Sequence, residues 1–166
     1  MNNIILIGFM GSGKTSVGKA LASKCGRVFV DMDEEIVKQQ GKSINEIFLE
    51  LGEAGFRDIE TRYIQSLHEC KNTILSTGGG VVTREENIEL LKALGTIVFL
   101  NTPYEQLIHN LKGDTQRPLL RQENAGEVIF EMLQKREPLY FKAATMIVQT
   151  KGKTIQEIAD EIIKLL

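Results

Sequence analysis

The sequence has few cysteines, no long apolar run and no excess of basic charge. Its two cysteines, Cys25 and Cys70, are too far apart for a Cys-x-x-Cys motif and too few for a disulfide framework, which favours a reducing compartment. No apolar stretch approaches the ~20 residues that a membrane-spanning helix needs. No basic segment precedes the short apolar run that begins at Asn3. We therefore expect no membrane span, no secretion signal and a cytoplasmic location.

The charge balance excludes a further class of partner. Twenty lysines and arginines stand against 22 aspartates and glutamates, for a formal net charge of -2 at pH 7. This lacks the basic excess typical of proteins that bind nucleic acid, so we expect no nucleic acid partner. Hydrophobic residues at 42% and charged residues at 25% disfavour intrinsic disorder. A chain of 166 residues suits one domain over 1–166, and we expect a monomer.

Apolar strands that alternate with amphipathic helices predict an α/β fold. The continuous apolar run 3–8 is typical of a strand buried on both faces of a parallel sheet, and the spacing of Val17, Ala20 and Leu21 predicts a helix over 14–24. Helical spacing also runs through 36–51 and 53–68, with breaks at Gly41 and Gly52. Further strands are predicted at 27–31, 73–76, 96–100 and 146–149, and further helices at 84–94, 103–111, 125–140 and 154–166. The series predicts a five-stranded parallel sheet flanked by helices.

The polar segment 112–124 interrupts this alternation. It contains glycine and proline and has neither a helical nor a strand period. Loops of this length inside a compact domain are usually functional or mobile. We therefore expect a loop with a functional role over 112–124.

Residues 8–15, GFMGSGKT, fit the phosphate-binding pattern G-x-x-x-x-G-K-[ST] and are called the P-loop below. They lie between a predicted buried strand and a helix, so backbone N–H groups and the helix N-terminus can surround phosphate oxygens. Lys14 would neutralise the β- and γ-oxygens, and the Thr15 hydroxyl would bind Mg²⁺. A dinucleotide site is disfavoured because Ser16 stands where that pattern requires glycine. The residues predicted to bind a nucleoside triphosphate here are Gly11, Ser12, Gly13, Lys14, Thr15 and Ser16.

Two carboxylates follow the second predicted strand. In extended backbone, Asp31 and Asp33 would project to the same side, toward the ligand crevice of a parallel sheet. One can hold a Mg²⁺-bound water while the other orients or deprotonates an attacking hydroxyl, which suits phosphoryl transfer. Alternatively, Asp33 caps a helix N-terminus whose dipole Glu34 and Glu35 complement. The two roles are compatible.

Later residues have both ordinary and functional interpretations. Arg57 and Glu60 share a helix face, and a helical ion pair would explain them. The glycines at 78–80 permit a close backbone approach to a ligand or form a tight turn. Arg117 lies in the polar segment and Arg136 on the helix after it. Isolated arginines are usually solvated, so the pattern alone leaves their role open.

Six motifs in this order resemble the shikimate kinase family, and the resemblance extends over 3–166. The motifs are GFMGSGKT (8–15), DMDEEI (31–36), GEAGFRDIE (52–60), TGGG (77–80), RPLL (117–120) and KREPLY (135–140). The resemblance implies a P-loop kinase fold with a mobile lid over 112–124. It also implies the ATP- and Mg²⁺-dependent phosphorylation of the 3-hydroxyl of shikimate, which yields shikimate 3-phosphate and ADP in aromatic amino-acid biosynthesis.

The same resemblance implies residue roles. The catalytic residues would be Lys14, Asp33 and Arg117. The shikimate-binding region would be about 33–60, with further contacts from later residues. The residues that would bind shikimate are Asp33, Arg57, Gly78, Gly79, Gly80 and Arg136. Thr15 and, through water, Asp31 would serve Mg²⁺, Glu60 would orient Arg57, and Arg117 would reach the transferring phosphate of ATP from the lid. Asn110 departs from the family, which often has an arginine stacked on adenine at this position.

Two other functions share the P-loop. A guanine-specific switch usually carries an Asn-Lys-x-Asp element, and no asparagine in this chain is followed by lysine. A nucleoside or nucleotide kinase would share the mechanism but gives no reason for two arginines that recognise a small carboxylate. Shikimate has one carboxylate and three hydroxyls, which match arginines, an aspartate and backbone amides. The predicted partners are therefore shikimate and ATP.

Overall fold

Parallel strands form a central sheet with helices on both faces. The computed structural model describes residues 2–114 and 117–166. Within them, one five-stranded sheet has the order β2-β3-β1-β4-β5, and every neighbouring pair is parallel. The strands are β1 (Asn3–Ile7), β2 (Val28–Asp31), β3 (Thr73–Ser76), β4 (Gly95–Asn101) and β5 (Met146–Gln149). This confirms the predicted α/β class and the five-stranded parallel sheet.

The helices agree with the predicted periodicity. They are α1 (Lys14–Cys25), α2 (Met32–Gln40), α3 (Ile44–Ser66), α4 (Glu85–Leu94), α5 (Tyr104–Leu111), α6 (Ala125–Ala143) and α7 (Ile155–Leu165). Short 3-10 helices at Val81–Thr83 and Pro118–Arg121 add turns that the sequence pattern did not predict. The second of these lies inside the polar segment 112–124. No helix within 2–114 and 117–166 is both long and apolar enough to cross a membrane.

The core has two layers, one on each face of the sheet. Ile5 and Ile7 of β1 pack into a cluster with side chains of α2 to α6, whereas Ile4 and Leu6 pack into a second cluster with α1 and α7. All five residues of β1 are buried. A central strand covered on both faces favours apolar side chains at successive positions, which explains the apolar run Ile4 to Ile7 that follows Asn3.

Two glycines shape the helices after β2. Gly41, with φ 66°, ends α2 and donates its N–H to the Val37 carbonyl. Gly52, with φ 67° and ψ -177°, interrupts the helical backbone inside α3 and produces a kink. Both predicted breaks are therefore present, although the hydrogen-bonded helix resumes after Gly52. The kink separates the amino-terminal part of α3 from the part that carries Arg57.

The sheet topology places several loops at one edge. Because the strands are parallel, the carboxyl ends of β1, β2 and β3 lie side by side. The register confirms this, since Asp31 of β2 and Leu6 of β1 both pair with Ser76 of β3. The P-loop, the Asp31 segment and the glycine turn 78–80 therefore converge on the same edge.

Candidate active site

The P-loop connects β1 to α1, as the sequence predicts. Gly11 and Gly13 have φ values of 79° and 88°, a left-handed conformation that glycine adopts without strain. Gly13 precedes α1, and no side chain in the described part of the chain caps this helix terminus. The Ser12 hydroxyl is buried and has no hydrogen-bond partner among the described residues. The loop therefore presents backbone N–H groups and a helix N-terminus, both of which suit phosphate binding.

Lys14 is buried at the start of α1. Its Nζ donates to the carbonyl oxygens of Gly8 at 2.8 Å and Phe9 at 3.0 Å. Burial lowers the pKa of Lys14 to about 8, while the negative charges of Asp33 and Asp31 oppose that shift. A pKa of about 8 leaves most of the Lys14 ammonium groups protonated at neutral pH.

Asp31 joins the P-loop to α2. Its Oδ2 accepts from the Thr15 hydroxyl at 2.8 Å, and its Oδ1 accepts from the backbone N–H groups of Asp33 at 3.1 Å and Glu34 at 3.4 Å. The N-cap of α2 is therefore Asp31, and the alternative that Asp33 caps this helix is wrong. A hydroxyl and a carboxylate in contact form a donor set that fits Mg²⁺, which takes oxygen ligands and retains several waters.

Asp33 reaches the site from a helix, not from extended backbone. Because Asp31 caps α2 and the helix begins at Met32, Asp33 lies in the first helical turn. The argument that strand periodicity points Asp31 and Asp33 to the same side is therefore wrong, although both residues line the same cavity. Burial, with a contribution from the Asp31 charge, raises the pKa of Asp33. Its Oδ1 is buried and has no hydrogen-bond partner in the described part of the chain.

Arg57 and Glu60 form a buried ion pair on α3. Arg57 Nη1 donates to Glu60 Oε2 at 2.5 Å, and Nη2 donates to Glu53 Oε1 at 3.4 Å. Arg57 is 7% exposed and Glu60 0%, so this is not an ordinary ion pair on a helix surface. Burial raises the pKa of Glu60, and the Arg57 charge opposes the shift. Arg57 Nε and Glu60 Oε1 have no hydrogen-bond partner among the described residues.

The glycine turn 78–80 accommodates these side chains. A Cβ at Gly80 would lie 2.0 Å from Arg57 Nη2, and a Cβ at Gly78 would lie 2.8 Å from Glu60 Oε1 and 3.1 Å from Asp33 Oδ1. None of the three glycines has the left-handed φ that would itself require glycine. The turn is real, since Val81 N donates to Gly78 O at 3.2 Å. Lack of space, not backbone conformation, therefore explains Gly78 and Gly80.

Arg136 and Tyr140 approach the glycine turn from α6. A Cβ at Gly79 would lie 3.8 Å from Arg136 Nη1, and the Tyr140 hydroxyl donates to the Gly79 carbonyl. Tyr140 is fully buried and stacks on Phe99 with ring centroids 5.1 Å apart. Burial raises the pKa of Tyr140 to about 12, so the hydroxyl stays protonated as a donor. The sequence pattern predicts no role for Tyr140, although its position four residues after Arg136 on one helix is a usable signal.

An open cavity of about 230 Å³ lies at the carboxyl ends of β1 to β3. Its lining combines the P-loop, the two carboxylates and residues that follow β3. The lining residues are Met10, Gly11, Gly13, Lys14, Thr15, Ser16, Asp31, Asp33, Ser76, Thr77, Gly79 and Arg117.

Not every predicted site residue lines this cavity. Ser12, Gly78 and Gly80 are not among its lining residues. Arg136 lies beside the lining residue Gly79, and Arg57 lies beside Gly80, the next residue of the glycine turn. A second open depression shares Asp33 with the first and extends along α2 to Ile44. The structure therefore brings all the predicted phosphate-binding residues except Ser12 to the lining of one cavity, and both arginines lie at its side.

Arg117 is exposed and still lines the cavity. Its Nε donates to Asp114 Oδ2 at 3.1 Å. Residues 115 and 116 of the predicted lid lie outside the described residues. Closure of the segment 112–124 as a lid stays a prediction.

The carboxyl end of α5 packs on the P-loop. Asn110 Nδ2 donates to the Gly11 carbonyl at 2.8 Å, and a Cβ at Gly11 would lie 2.9 Å from Leu111 Cγ. The residue at the position where an adenine-stacking arginine is expected thus contacts the P-loop backbone. Gly11 therefore has two reasons to be glycine, its left-handed φ and the close approach of α5.

Comparison with known proteins assigns the chain to a family. The family model of shikimate kinase matches residues 10–166. A shikimate kinase of Thermodesulfovibrio yellowstonii is 51% identical over 99% of this chain and 94% of its own length, and one of Persephonella marina is 47% identical over 98% of each. The solved structure of the Acinetobacter baumannii shikimate kinase in complex with shikimate superposes with a TM-score of 0.94, at 40% identity over 99% of this chain and 92% of that one. This chain therefore belongs to the shikimate kinase family.

Proposed function

We propose that the cavity at the carboxyl ends of β1 to β3 is where this chain transfers the γ-phosphoryl group of ATP to the 3-hydroxyl of shikimate. Membership of the family supports this reaction, which yields ADP and shikimate 3-phosphate for aromatic amino-acid biosynthesis. The observation that carries the assignment of the site is the arrangement of Lys14 and Asp33 around one cavity, with Arg57 and Arg136 beside it.

The P-loop side of the cavity would bind ATP. Backbone N–H groups of Gly11 to Ser16 and the Lys14 ammonium would hold the phosphate oxygens. Thr15 and Asp31 would hold Mg²⁺, and the ion, when bound, adds positive charge at the β- and γ-oxygens. The contact between Thr15 and Asp31 holds the two side chains together before any ligand binds.

The glycine-turn side would bind shikimate. Arg57 and Arg136 would donate to the shikimate carboxylate, since charge-assisted hydrogen bonds from arginine suit a planar carboxylate. Glu60 holds the Arg57 guanidinium through Nη1 and leaves Nε without a partner among the described residues. The backbone of the glycine turn and Asp33 would contact the hydroxyl groups.

Asp33 would act on the hydroxyl that attacks. Its raised pKa and its unpaired buried Oδ1 suit a carboxylate that accepts a proton from the 3-hydroxyl. The hydroxyl oxygen forms a bond to the γ-phosphorus, and the bond from that phosphorus to the bridging oxygen breaks, which leaves ADP. Lys14 and Arg117 would stabilise the negative charge on the transferring group.

The acceptor can be identified by measuring ADP release in the presence of ATP and Mg²⁺. The panel consists of shikimate, quinate, gluconate, AMP and no acceptor. We expect release with shikimate, and a strong loss in the Asp33→Asn variant, which retains the size of the side chain. Release with AMP alone would instead show a nucleotide kinase, and release with gluconate alone would show a sugar-acid kinase.

We also propose that the chain acts as a monomer in the cytoplasm. Cys25 and Cys70 are free, as suits a reducing compartment. Light scattering of the active protein should give the mass of one chain. A mass of two chains during turnover would contradict the monomer.

A further inference from the structure

A buried amide on α4 connects the helix that carries Arg57 to the glycine turn. Asn87 is 0% exposed and does not line the cavity. Its Nδ2 donates to the Val81 carbonyl at 3.1 Å, and its Oδ1 accepts from the Thr61 hydroxyl at 2.7 Å. Thr61 Oγ1 also lies 3.0 Å from the Arg57 carbonyl. The amide thus bridges α3 and the 3-10 helix that follows the glycine turn.

The 3-10 helix continues this connection to the guanidinium of Arg57. Val81 N donates to Gly78 O at 3.2 Å, and Thr83 donates to Gly80 O through its backbone N–H at 3.0 Å and its hydroxyl at 2.7 Å. Gly80 packs so closely on Arg57 that a Cβ there would lie 2.0 Å from Nη2. A closed path therefore runs from the Arg57 backbone through Asn87 and the glycine turn back to the Arg57 side chain.

We propose that Asn87, together with Thr61, is a positioning residue for shikimate binding, because it fixes the spacing between Arg57 and the backbone of Gly79–Gly80. This inference rests on the proposed function. Arg57 extends from α3, whereas the glycine turn follows β3, so nothing covalent nearby holds these groups in register. The Asn87 side chain, which is both donor and acceptor, sets that spacing from outside the cavity.

The choice of a neutral amide is itself informative. A carboxylate at position 87 would offer no donor to the Val81 carbonyl and would place a negative oxygen against it. An apolar side chain of the same size would leave both the Val81 carbonyl and the Thr61 hydroxyl without this partner. Only a side chain with one donor and one acceptor satisfies both neighbours.

The test separates positioning from general stability. Calorimetric titration with shikimate and steady-state kinetics would be run on wild type, Asn87→Leu, Thr61→Val and Thr61→Ser. We expect Asn87→Leu and Thr61→Val to weaken shikimate binding about tenfold, because small misplacements in a preorganised site have large effects. The KM for ATP should stay within about twofold. Thr61→Ser retains the hydroxyl and should retain shikimate affinity.

Asn3 supplies a matched control at the other end of β1. This buried amide donates to Cys70 O at 2.7 Å and Leu94 O at 3.1 Å, and accepts from Thr73 N at 3.0 Å. Asn3→Leu should lower thermal stability and leave shikimate affinity unchanged. Equal loss of shikimate affinity in Asn3→Leu would overturn the inference, because the effect would then follow stability alone.

The remaining outcomes distinguish this inference from the proposed function. Wild type that does not phosphorylate shikimate contradicts both. If wild type is active and Arg57→Ala binds shikimate weakly, unchanged affinity in Asn87→Leu and Thr61→Val overturns the positioning role alone. If Asn87→Leu does not fold, the comparison of Thr61→Val with Thr61→Ser decides whether the positioning role holds. Valine lacks the hydroxyl of Thr61, whereas serine retains the hydroxyl and lacks the methyl group.

Discussion

Gly80→Ala should disable shikimate binding by adding one methyl group. The backbone at Gly80 has φ -93° and ψ 3°, which alanine adopts without strain, so the effect arises from contact and not from conformation. The new Cβ would lie 2.0 Å from Arg57 Nη2, 2.4 Å from Cζ and 2.6 Å from Nη1, whereas ordinary contacts begin at 3.4 Å. The guanidinium must therefore move by about 1.4 Å, the difference between 3.4 Å and 2.0 Å.

The size of the effect follows from the interactions of Arg57. A charge-assisted hydrogen bond contributes ~1.5–3 kcal/mol. About 1.4 kcal/mol corresponds to a factor of ten in an equilibrium constant. Loss of the hydrogen bond from Arg57 to the shikimate carboxylate should therefore weaken shikimate binding roughly ten- to hundredfold. The displaced guanidinium would also lose its contact with Glu60, so some loss of thermal stability should accompany the change.

Calorimetric titration with shikimate measures this effect directly. Gly126→Ala is the matched control, because it adds the same methyl group on α6, where the closest described atom is Tyr104 Oη at 3.2 Å. We expect unchanged shikimate affinity in the control. Wild-type affinity in Gly80→Ala would refute the assignment of Arg57 as a shikimate ligand held against the turn.

Three further predictions concern the charged residues of the site. Arg117→Ala should lower kcat far more than it weakens shikimate binding, because the Arg117 charge would act on the transferring phosphoryl group. Arg117→Lys should recover part of kcat. Near-normal kcat in the alanine variant would show that Arg117 is a surface residue without a catalytic role. Arg57→Ala and Arg136→Ala should show the opposite balance, each weakening shikimate binding by ~1.5–3 kcal/mol in calorimetry, and unchanged affinity in both would contradict the carboxylate assignment. Lys14→Met should remove turnover in steady-state assays and leave a folded protein. The pKa of Lys14 is about 8 in the folded protein and 10.5 in the unfolded chain, so between these pH values the unfolded chain binds more protons. The free energy of unfolding of wild type, compared with that of Lys14→Met, should therefore rise by roughly 3 kcal/mol across this pH range in denaturant unfolding. Parallel pH profiles of the two proteins would contradict this.

The fold was more predictable from sequence than the way the site is assembled. Strands buried on both faces appear as unbroken apolar runs, so β1 was recognisable from 3–8 alone. The position of Asp33 was not recognisable, because strand periodicity does not anticipate that Asp31 caps a helix and that Asp33 lies in the first turn of that helix. The residue types indicated which chemistry the site performs, but the geometry that brings these residues together could not be predicted from the sequence.

Contacts between distant segments explain what the sequence could not supply. The triplet 78–80 indicates that glycine is needed but not that Arg57 and Glu60 occupy the missing side-chain space. Tyr140 donates to Gly79, 61 positions away, and Asn87 meets Thr61, 26 positions away. Periodicity and local motifs describe neighbours along the chain, so pairings of this kind become visible only in three dimensions.

The packing of α5 on the P-loop defines a tether for Arg117. Asn110 and Leu111 contact Gly11, and Gly113, with φ 82°, has no atom of the described residues within 4 Å of its Cβ position. Arg117 is the fourth residue after Gly113, and four residues of chain span at most about 14 Å. This short tether holds Arg117 close to the end of α5 that packs on the P-loop, at an effective concentration in the millimolar range or above. Insertion of flexible residues between Gly113 and Arg117 would lower the local concentration of this charge without altering any residue of the P-loop.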